Sequence, residues 1–591
     1  MPEHLSEMGQ VWNLKDILPE HKGDKFDALI SDLKARVSNF EQKRGLLTPN
    51  ISSQDFNNLL KELEETDIIA SRISAYGELW FSEDTTNEEA KSYLAKIEDL
   101  SADLANKTLF FSLWWKKLDY QSAERLINSA GQNHYFLEHM RKLREHSLEE
   151  NEEKIINLKD ITGVEAFSKL YDILTSSFRF PIKINGKAQK LTSSELLVHI
   201  KGADAKLREQ AYKSLWKVYK KNRDVIAEIY FNIVRDWNNE CLKLRKYITP
   251  ISVRNKSNDL PDEAIDVLLE VCRENRKVFQ EYFELKGKSL GLKKMSRFHI
   301  YAPLEKEDSK IPYENAVRIV LENYKEFSPE ISNLAKSVFD AQHVHSCLGK
   351  NKRSGAYCMA VSPKDLPYVL LNYTETSDDV ITMAHELGHA VHDLLARNNT
   401  IFTFQPPLPL AETASVFGEL IVTHALMKKE INPKLKKHLL AGKLDDIYAT
   451  VIRQTYFVLF EKLAHKLIPE GATINQISDE YRRQLKEQFG TLSVHKDFAN
   501  EWLYIPHIFH SPFYCYAYAF GNLLTLSLYK MYLEQGKSFV PKYIKLLSYG
   551  GSENPEKILQ ELGIDIKTKE FWQKGFDVIK EMLDEFKRIS P

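Results

Sequence analysis

The chain has 591 residues, 81 of them basic and 83 acidic, and a formal net charge of −2. This balance gives no reason to expect nucleic acid or an anionic membrane as a partner. The length is sufficient for large buried cores and predicts two or more subdomains. Met1 to Gln10 is polar and predicts no secretion signal, and the five widely spaced cysteines fit reduced thiols, so we expect a cytoplasmic protein.

Helical periodicity dominates the N-terminal part of the chain. Residues 25–44 and 54–82 place apolar side chains three and four positions apart, which predicts two helices. Thr86 and Glu89 have the spacing of a capping box, and they predict a third helix that runs to about residue 118.

Strand signals are few. Residues 179–184 and 187–191 flank Asn185-Gly186, a pair that favours the two-residue turn of a β-hairpin. His299–Pro303 and Pro367–Thr374 are the other strand candidates. We therefore expect a mainly α fold with a small amount of sheet, and we place a soft domain boundary near residue 195.

The most informative stretch is residues 385–389, with the sequence HELGH. On a helix, His385 and His389 lie one turn apart on the same face, with Cβ atoms about 5–6 Å apart, so both imidazoles can reach one zinc ion. Glu386 is then the candidate general base for hydrolysis of a peptide bond. Ser377 is the predicted N-cap of this helix. The alternative is an amphipathic helix whose histidines are ordinary core or surface groups.

Gly388 lies in the middle of this predicted helix, where glycine costs roughly 1 kcal/mol relative to alanine. Close approach of another backbone or of a substrate would explain the residue.

A third metal ligand is expected downstream of the motif. Pro406, Pro407 and Pro409 break the chain, and a helix is predicted to start about there. Glu412 and Glu419 are seven residues apart, two turns along one face, among small and apolar residues. One carboxylate can bind the metal while the other accepts a hydrogen bond from a ligand histidine.

The motif HELGHAVH (385–392) followed by AETASVFGE (411–419) resembles the M3 family of zinc oligopeptidases, in particular its oligoendopeptidase F branch. Further segments resemble the same branch: Trp12 to Leu14, Tyr76 to Thr86, Pro367 to Thr374, Pro506 to His510 and Pro512 to Ala519. The resemblance implies one zinc ion per chain, held by His385, His389 and Glu412. It also implies that Glu386 is the base and that Glu419 supports a ligand histidine.

The resemblance further implies a fold. The fold is an elongated, two-lobed, mainly helical metallopeptidase with a deep channel and a small β-sheet next to the zinc helix. With the boundary near 195, residues 1–195 form an N-terminal helical domain and residues 196–591 form the zinc metallopeptidase catalytic domain.

Residues 503–529 contain no Asp, Glu, Lys or Arg, and the run is long enough to cross a membrane. Its histidines and prolines favour a buried helix beside the active site instead. Ser511-Pro512 is the predicted start of that helix, with His507 and His510 on the loop before it. Tyr514 and Tyr518 share one face of the helix.

By resemblance, His507 and one or two of Tyr514 and Tyr516 stabilise the oxyanion of the tetrahedral intermediate. The sequence leaves open which tyrosine points inward. The alternative for at least one of them is a core residue with a satisfied hydroxyl.

The favoured function is a zinc-dependent endopeptidase that hydrolyses short oligopeptides. If Pro367–Thr374 lies at a sheet edge, a peptide can pair with it through backbone hydrogen bonds, and Gly355 upstream permits close backbone approach. A zinc carboxypeptidase or other exopeptidase, and a non-catalytic peptide-binding zinc protein, are the alternatives. We expect oligopeptides as partners, no nucleic acid and no membrane, and either a monomer or a homodimer.

Overall fold

The computed structural model describes residues 9–305, 310–430 and 432–589, so most of the polar segment Met1 to Gln10 lies outside the described residues. Helices make up most of the described chain, which confirms the mainly α prediction. The helices of the first half are α1 (Asp24–Gln42), α2 (Ser53–Glu83), α3 (Glu88–Lys117), α4 (Tyr120–Ser129), α5 (His134–Lys142), α6 (Glu150–Thr162), α7 (Val164–Ser176), α8 (Ser193–Ile200), α9 (Ala205–Lys221), α10 (Arg223–Trp237), α11 (Pro250–Ser257), α12 (Asp262–Glu274) and α13 (Arg276–Ser289).

The second half continues the helical pattern. Its helices are α14 (Tyr313–Phe327), α15 (Pro329–Asp340), α16 (Ser377–Ala396), α17 (Leu408–Ala411), α18 (Thr413–Lys429), α19 (Pro433–Ile447), α20 (Arg453–Leu467), α21 (Ile474–Phe489), α22 (Pro506–His510), α23 (Tyr516–Gln535), α24 (Val540–Ser548), α25 (Pro555–Gln560) and α26 (Lys569–Arg588). The strands are β1 (Phe180–Ile184), β2 (Lys187–Leu191), β3 (Val344–His345), β4 (Tyr357–Met359) and β5 (Tyr368–Leu370).

The N-terminal helices agree with the periodicity, but the start of α3 differs in detail. The N-cap is Asn87, whose side-chain oxygen accepts hydrogen bonds from the backbone N–H groups of Glu89 (3.0 Å) and Ala90 (3.2 Å). The Thr86 hydroxyl instead donates to Asp84 at 2.6 Å. The predicted capping box at Thr86 is therefore wrong by one residue, because asparagine caps as well as threonine and stands nearer the first turn.

The predicted hairpin is present, with Phe180 opposite Leu191 and Ile184 opposite Lys187. Asn185 and Gly186 both have positive φ, 50° and 80°. A type I′ turn requires this conformation at both central positions, which is why asparagine followed by glycine is the favoured pair.

Of the other two strand predictions, the structure confirms a strand within Pro367–Thr374 but not at His299–Pro303. The predicted strand at Pro367–Thr374 contains β5, which is the central strand of a three-stranded sheet in the order β3-β5-β4. The condition for pairing a peptide with this strand, a position at the sheet edge, is therefore not met. His299–Pro303 is not a strand, since Arg297–His299 is a 3-10 turn and the Ile300 carbonyl accepts a hydrogen bond from the Lys286 ammonium at 2.7 Å. That bond takes a backbone group which a strand would need for pairing.

Backbone contacts divide the chain into two compact units, each built from three segments. The first comprises Met1–Glu150, Ser309–Leu426 and Met531–Ile564, and the second comprises Asn151–Asp308, Met427–Lys530 and Asp565–Pro591. The boundary predicted near residue 195 falls inside α8, and these units divide the chain at other places.

Helix α16, which carries the HELGH motif, is central to the first unit. It packs against α14, α15 and α24 and beside strands β4 and β5. Tyr368 and Leu370 of β5 belong to the same apolar core as residues of α1, α2 and α3. Helix α16 therefore contacts several helices and also the small sheet. The sheet lies next to the motif helix, as predicted.

The backbones of α16 and α18 meet at two glycines. A Cβ on Gly388 would lie 2.5 Å from the Ala414 carbonyl oxygen and 2.6 Å from the Ser415 Cα. A Cβ on Gly418 would lie 2.9 Å from the Ala384 carbonyl oxygen and would collide with the Tyr324 hydroxyl. The predicted close approach at Gly388 is confirmed, and it is the approach of another backbone.

One helical stretch, Leu408–Lys429, is long and apolar enough to cross a membrane by length and composition alone. In its most apolar window 61% of the residues are buried, and a buried core helix of a soluble protein passes the same test of length and composition. The charge-free run at 503–529 is largely a buried helix too, since most of α23 up to Tyr529 is enclosed.

We expect Gly388→Ala to lower the free energy of unfolding by about 1–3 kcal/mol, the usual cost of forcing extra atoms into a packed contact. Thermal unfolding followed by circular dichroism measures the change. Gly442→Ala is the matched control, because Gly442 also lies inside a helix but a Cβ added there would meet no atom within 4 Å. Equal midpoints for the two variants would contradict the close contact.

Candidate metal centre

The motif helix begins with a reciprocal cap. The Thr376 hydroxyl oxygen accepts a hydrogen bond from the Asp379 N–H at 3.2 Å, and the Asp379 carboxylate accepts one from the Thr376 N–H at 3.0 Å. The predicted cap, Ser377, is therefore the first helical residue instead. The two bonds satisfy backbone donors that the first turn leaves free, and they set the phase of the helix two turns before the histidines.

Three side chains converge on one point beside α16. The Nε2 atoms of His385 and His389 lie 3.2 Å apart, with the rings nearly perpendicular at 76°. Glu412 Oε2 lies 3.3 Å from the Nε2 of His385 and 3.4 Å from that of His389. Glu412 lies at the junction between α17 and α18.

The donor set and its spacing fit a zinc ion. Four-coordinate zinc has bonds of about 2.0–2.2 Å to imidazole nitrogen and carboxylate oxygen, which separates neighbouring ligand atoms by about 3.3–3.5 Å in a tetrahedron. The three observed separations of 3.2, 3.3 and 3.4 Å match this value. Two histidines and one glutamate are also the ligand set of hydrolytic zinc sites, which leave one position open.

Two more side chains orient these groups. Glu419 Oε1 lies 3.0 Å from His385 Nδ1, so the ring donates its Nδ1–H there and keeps the Nε2 lone pair for a metal. The Ser415 hydroxyl donates to Glu412 Oε2 at 2.7 Å. Both supporting residues lie on α18, the helix that meets α16 at the glycine contact.

Glu386 is 6% exposed and lies between the two histidines in sequence. Burial raises the pKa of its carboxyl, and the neighbouring charges of His385 and His389 offset part of that rise. A raised pKa lies closer to neutral pH and makes the Glu386 carboxylate a stronger proton acceptor. This suits a group that takes up and then releases a proton.

The structure also brings residues to the site that sequence analysis did not predict. Asp393 lies one turn beyond His389, and burial raises the pKa of its carboxyl to about 7. The Cys358 thiol, on β4, lies 3.9 Å from the Asp393 carboxylate. The spacing of four residues from His389 to Asp393 repeats that from His385 to His389 and was the available signal for Asp393.

The C-terminal candidates form a cluster in the second unit. The His507 ring lies 6.2 Å from that of Tyr514 and 5.8 Å from that of Tyr518, and the two tyrosine rings are 5.3 Å apart, edge to face. Burial lowers the pKa of His507, and the charge of Arg453 and then that of His510 lower it further, so the ring is neutral at neutral pH. Tyr518 was not among the predicted site residues, although it was predicted to share a helix face with Tyr514.

Tyr516 has a different environment. It is fully buried, and its hydroxyl oxygen accepts a hydrogen bond from the Asn258 side chain at 2.7 Å. Tyr514 and Tyr518 are partly exposed. These environments match a structural tyrosine at 516 and rings that solvent can reach at 514 and 518.

The predicted helix start at Ser511-Pro512 is wrong. His507 and His510 lie on the short helix α22, and α23 begins only at Tyr516. The reason lies at Phe513, which has a φ of +58° and donates its N–H to the buried Glu461 carboxylate at 2.8 Å. The hydrogen bond to Glu461, which is distant in sequence, therefore decides the conformation of the loop, and the local capping signal at Ser511 does not.

Two family models match the chain. The one described as Peptidase family M3 matches residues 198–578, and the one described as Oligopeptidase F matches residues 114–180. The chain is 28% identical to an oligoendopeptidase F homolog of Borreliella burgdorferi, over 98% of both chains. It is 24% identical to the oligopeptidase PepF of Bacillus subtilis, over 98% of this chain and 87% of that protein.

Solved structures give the same picture of the fold. A crystal structure of a protein from Chlamydophila abortus has a TM-score of 0.85 and 25% identity, covering 100% of this chain and 99% of that one. The oligoendopeptidase-F of Enterococcus faecium has a TM-score of 0.73 and 21% identity, covering 96% of this chain and 98% of that one. The second likeness, at that identity, concerns the fold alone.

We expect Glu419→Gln to weaken zinc binding about 10- to 100-fold, since the amide holds the His385 ring less firmly and lowers its basicity. Competition with a chromophoric chelator measures the affinity. Glu330→Gln is the matched control on an exposed position of α15 in the same unit. Unchanged zinc affinity in Glu419→Gln would contradict the orienting role of the carboxylate.

Proposed function

This chain belongs to peptidase family M3, and from that premise we propose that it is a zinc-dependent endopeptidase which hydrolyses short oligopeptides. The observation that carries the proposal is the convergence of His385, His389 and Glu412 at tetrahedral ligand spacing, with Glu386 beside them. The names of the relatives, oligoendopeptidase and oligopeptidase, support the same substrate class.

The proposed chemistry divides the work between the metal and the side chains. When bound by His385, His389 and Glu412, zinc supplies Lewis acidity toward the attacking water and the scissile carbonyl. Glu386 accepts the proton of that water as the carbon–oxygen bond forms. The same carboxyl then delivers the proton to the leaving amine as the carbon–nitrogen bond breaks. Glu419 keeps the His385 ring in the tautomer that leaves Nε2 unprotonated.

His507 and Tyr514 are proposed to donate hydrogen bonds to the oxyanion, a role that rests on the sequence resemblance. The neutral state of His507 supports it, since a neutral ring still carries one N–H donor. Tyr516 is a weaker candidate than the sequence indicated, because its hydroxyl already bonds Asn258. Tyr518, 3.5 Å from His507 through its hydroxyl, is a candidate to orient that ring.

The substrate backbone is proposed to pair with strand β4 rather than with β5. Strand β5 is paired on both sides, whereas β4 has its antiparallel partner on one side only among the described residues. Gly355, with a φ of +84°, lies two residues before Tyr357, the first residue of β4. Pairing through backbone groups gives affinity with broad sequence tolerance, as an oligopeptidase needs.

Cellular placement and assembly complete the proposal. A cytoplasmic location is proposed from the sparse, widely spaced cysteines, which fit reduced thiols. The proposed partners are oligopeptides, and the proposed assembly is a monomer or a homodimer, which sedimentation at equilibrium distinguishes.

The test is a digest of a mixed peptide library, with products mapped by mass spectrometry, before and after removal of zinc with a chelator. We expect internal cuts, confined to short peptides, that disappear on chelation and return with added zinc. Stepwise loss from one end would favour the exopeptidase alternative instead.

Glu386→Gln belongs in the same experiment. We expect the variant to bind zinc normally and to lose turnover by about 10²- to 10⁴-fold, the usual contribution of general acid–base catalysis. Asp378→Asn, an exposed position in the first turn of the same helix, controls for charge removal. Normal turnover in Glu386→Gln would sink the mechanism, and zinc binding without any cleavage by the parent protein would favour a binding protein.

A matched pair of tyrosine variants separates the two candidate donors. We expect Tyr514→Phe to lower kcat by about 10²- to 10³-fold, the usual effect of removing one oxyanion donor, with little change in thermal stability. We expect Tyr516→Phe to lower the unfolding midpoint, because it leaves the buried Asn258 amide without its acceptor, and to change kcat little. The reverse pattern would assign the donor to Tyr516.

A further inference from the structure

A cavity of about 360 Å³ lies within the second unit. Its wall combines aromatic rings, including those of Tyr219, Phe457 and Tyr504, with the side chains of Arg453 and His507. A volume of this size and a wall that combines aromatic rings with polar side chains are typical of a ligand-binding site.

Arg453 brings a positive charge to this wall that is only partly neutralised. Glu501 is the buried carboxylate nearby, and its Oε1 lies 2.7 Å from Arg297 Nη2 but 3.5 Å from Arg453 Nη2. One carboxylate therefore faces two guanidinium groups, and Arg297 has the closer contact. The combination leaves one positive charge in excess.

Among the described residues that line the cavity, no other buried carboxylate neutralises the charge of Arg453. The one other charged side chain there is Asp172, which is 55% exposed and binds His510 at 2.9 Å. The Nε of Arg453 is buried and has no hydrogen-bond acceptor in the described part of the chain. A guanidinium that is partly exposed at a cavity wall and short of acceptors favours an anionic ligand.

Arg453 is also held in place for such a ligand. Its guanidinium carbon lies 5.1 Å from the centre of the Phe457 ring, one turn along α20, and its Nη2 faces Glu501. These contacts restrict a long side chain, so less conformational entropy is lost when it binds. The side chain is 24% exposed, whereas those of Arg297 and Glu501 are 2% and 3% exposed.

We propose that Arg453 binds a carboxylate group of the peptide substrate in this cavity. The planar, forked guanidinium matches a carboxylate with two parallel hydrogen bonds, and the aromatic walls accept the adjoining peptide. The inference rests on the proposed peptidase function, because His507, a predicted contact of the substrate, lines the same cavity. It makes Arg453 a specificity-determining residue that selects peptides by a negative charge.

Two sources supply the same chemistry: the C-terminal carboxylate of the peptide and an acidic side chain. Three internally quenched peptides of one sequence separate them. The first has a free C-terminus, the second has a C-terminal amide, and the third has the amide and a glutamate as its last residue. Each is assayed with the full-length, zinc-loaded protein.

We expect kcat/KM to be about 10- to 100-fold higher for the free acid than for the amide, mainly through KM, as for a hydrogen-bonded charge pair. In Arg453→Gln this ratio falls to near one. Arg453→Lys, which keeps the charge and loses the fork, gives an intermediate ratio. Recovery with the glutamate peptide identifies an acidic side chain as a ligand, and no recovery identifies the C-terminus alone.

Arg235→Gln is the matched control, since Arg235 is an exposed arginine of the same unit whose partner is Glu228 on the same helix. It should keep the parent ratio. The ratio within one variant does not depend on how much of the preparation is folded, and Glu501 keeps its contact with Arg297 in Arg453→Gln. An unchanged ratio in Arg453→Gln, or no preference in the parent protein, overturns the proposal.

A binding experiment separates failure of this proposal from failure of the proposed function. The affinities of the same three peptides are measured by fluorescence anisotropy on the Glu386→Gln background, with and without Arg453→Gln. If the parent protein cleaves none of the peptides, the endopeptidase proposal fails. The carboxylate proposal then stands if Glu386→Gln binds the free acid more tightly through Arg453, and it fails if the affinities are equal.

Discussion

The contact between the backbones of α16 and α18 is the constraint on which the metal centre depends. Gly388 and Gly418 let the two helices meet without intervening side chains, and α18 begins at Thr413, next to Glu412. A side chain at either glycine would push α18 outward. The carboxylates of Glu412 and Glu419 would then move away from the histidines that they contact at 3.0–3.4 Å. The helix penalty of a mid-helix glycine is small beside this consequence.

The same arrangement explains why the site needs residues from both helices. Two histidines on one helical turn supply two ligand atoms, but a single helix cannot bring a third to the same side at bonding distance. Glu412, at the junction between α17 and α18, supplies the third ligand atom from outside the motif helix. Ser415 and Glu419, on the following turns, then orient Glu412 and His385 through hydrogen bonds. Ligand position and ligand orientation thus come from one helix crossing.

The second unit handles buried charge differently. In the first unit, opposite charges and hydrogen-bonding partners meet closely around a prospective cation site. In the second, Arg297, Arg453 and Glu501 leave a positive charge in excess beside a cavity. Burying a charge without a full partner is costly in any fold. An incomplete pairing of this kind is therefore a feature that a bound ligand would complete.

The sequence by itself determined much of the candidate site, because its information was local. The helical period places His385 and His389 together, the asparagine–glycine pair specifies the hairpin turn, and a mid-helix glycine indicates a close neighbour. Only the tertiary structure decided which distant residues contact these local features. It moved the α23 start to Tyr516 because Glu461 captures the Phe513 N–H, and it put β5 at the centre of its sheet. The sequence could not single out Arg453, because its shortage of partners is a property of the fold. It arises only when Arg297, Arg453 and Glu501, which are distant in sequence, come together.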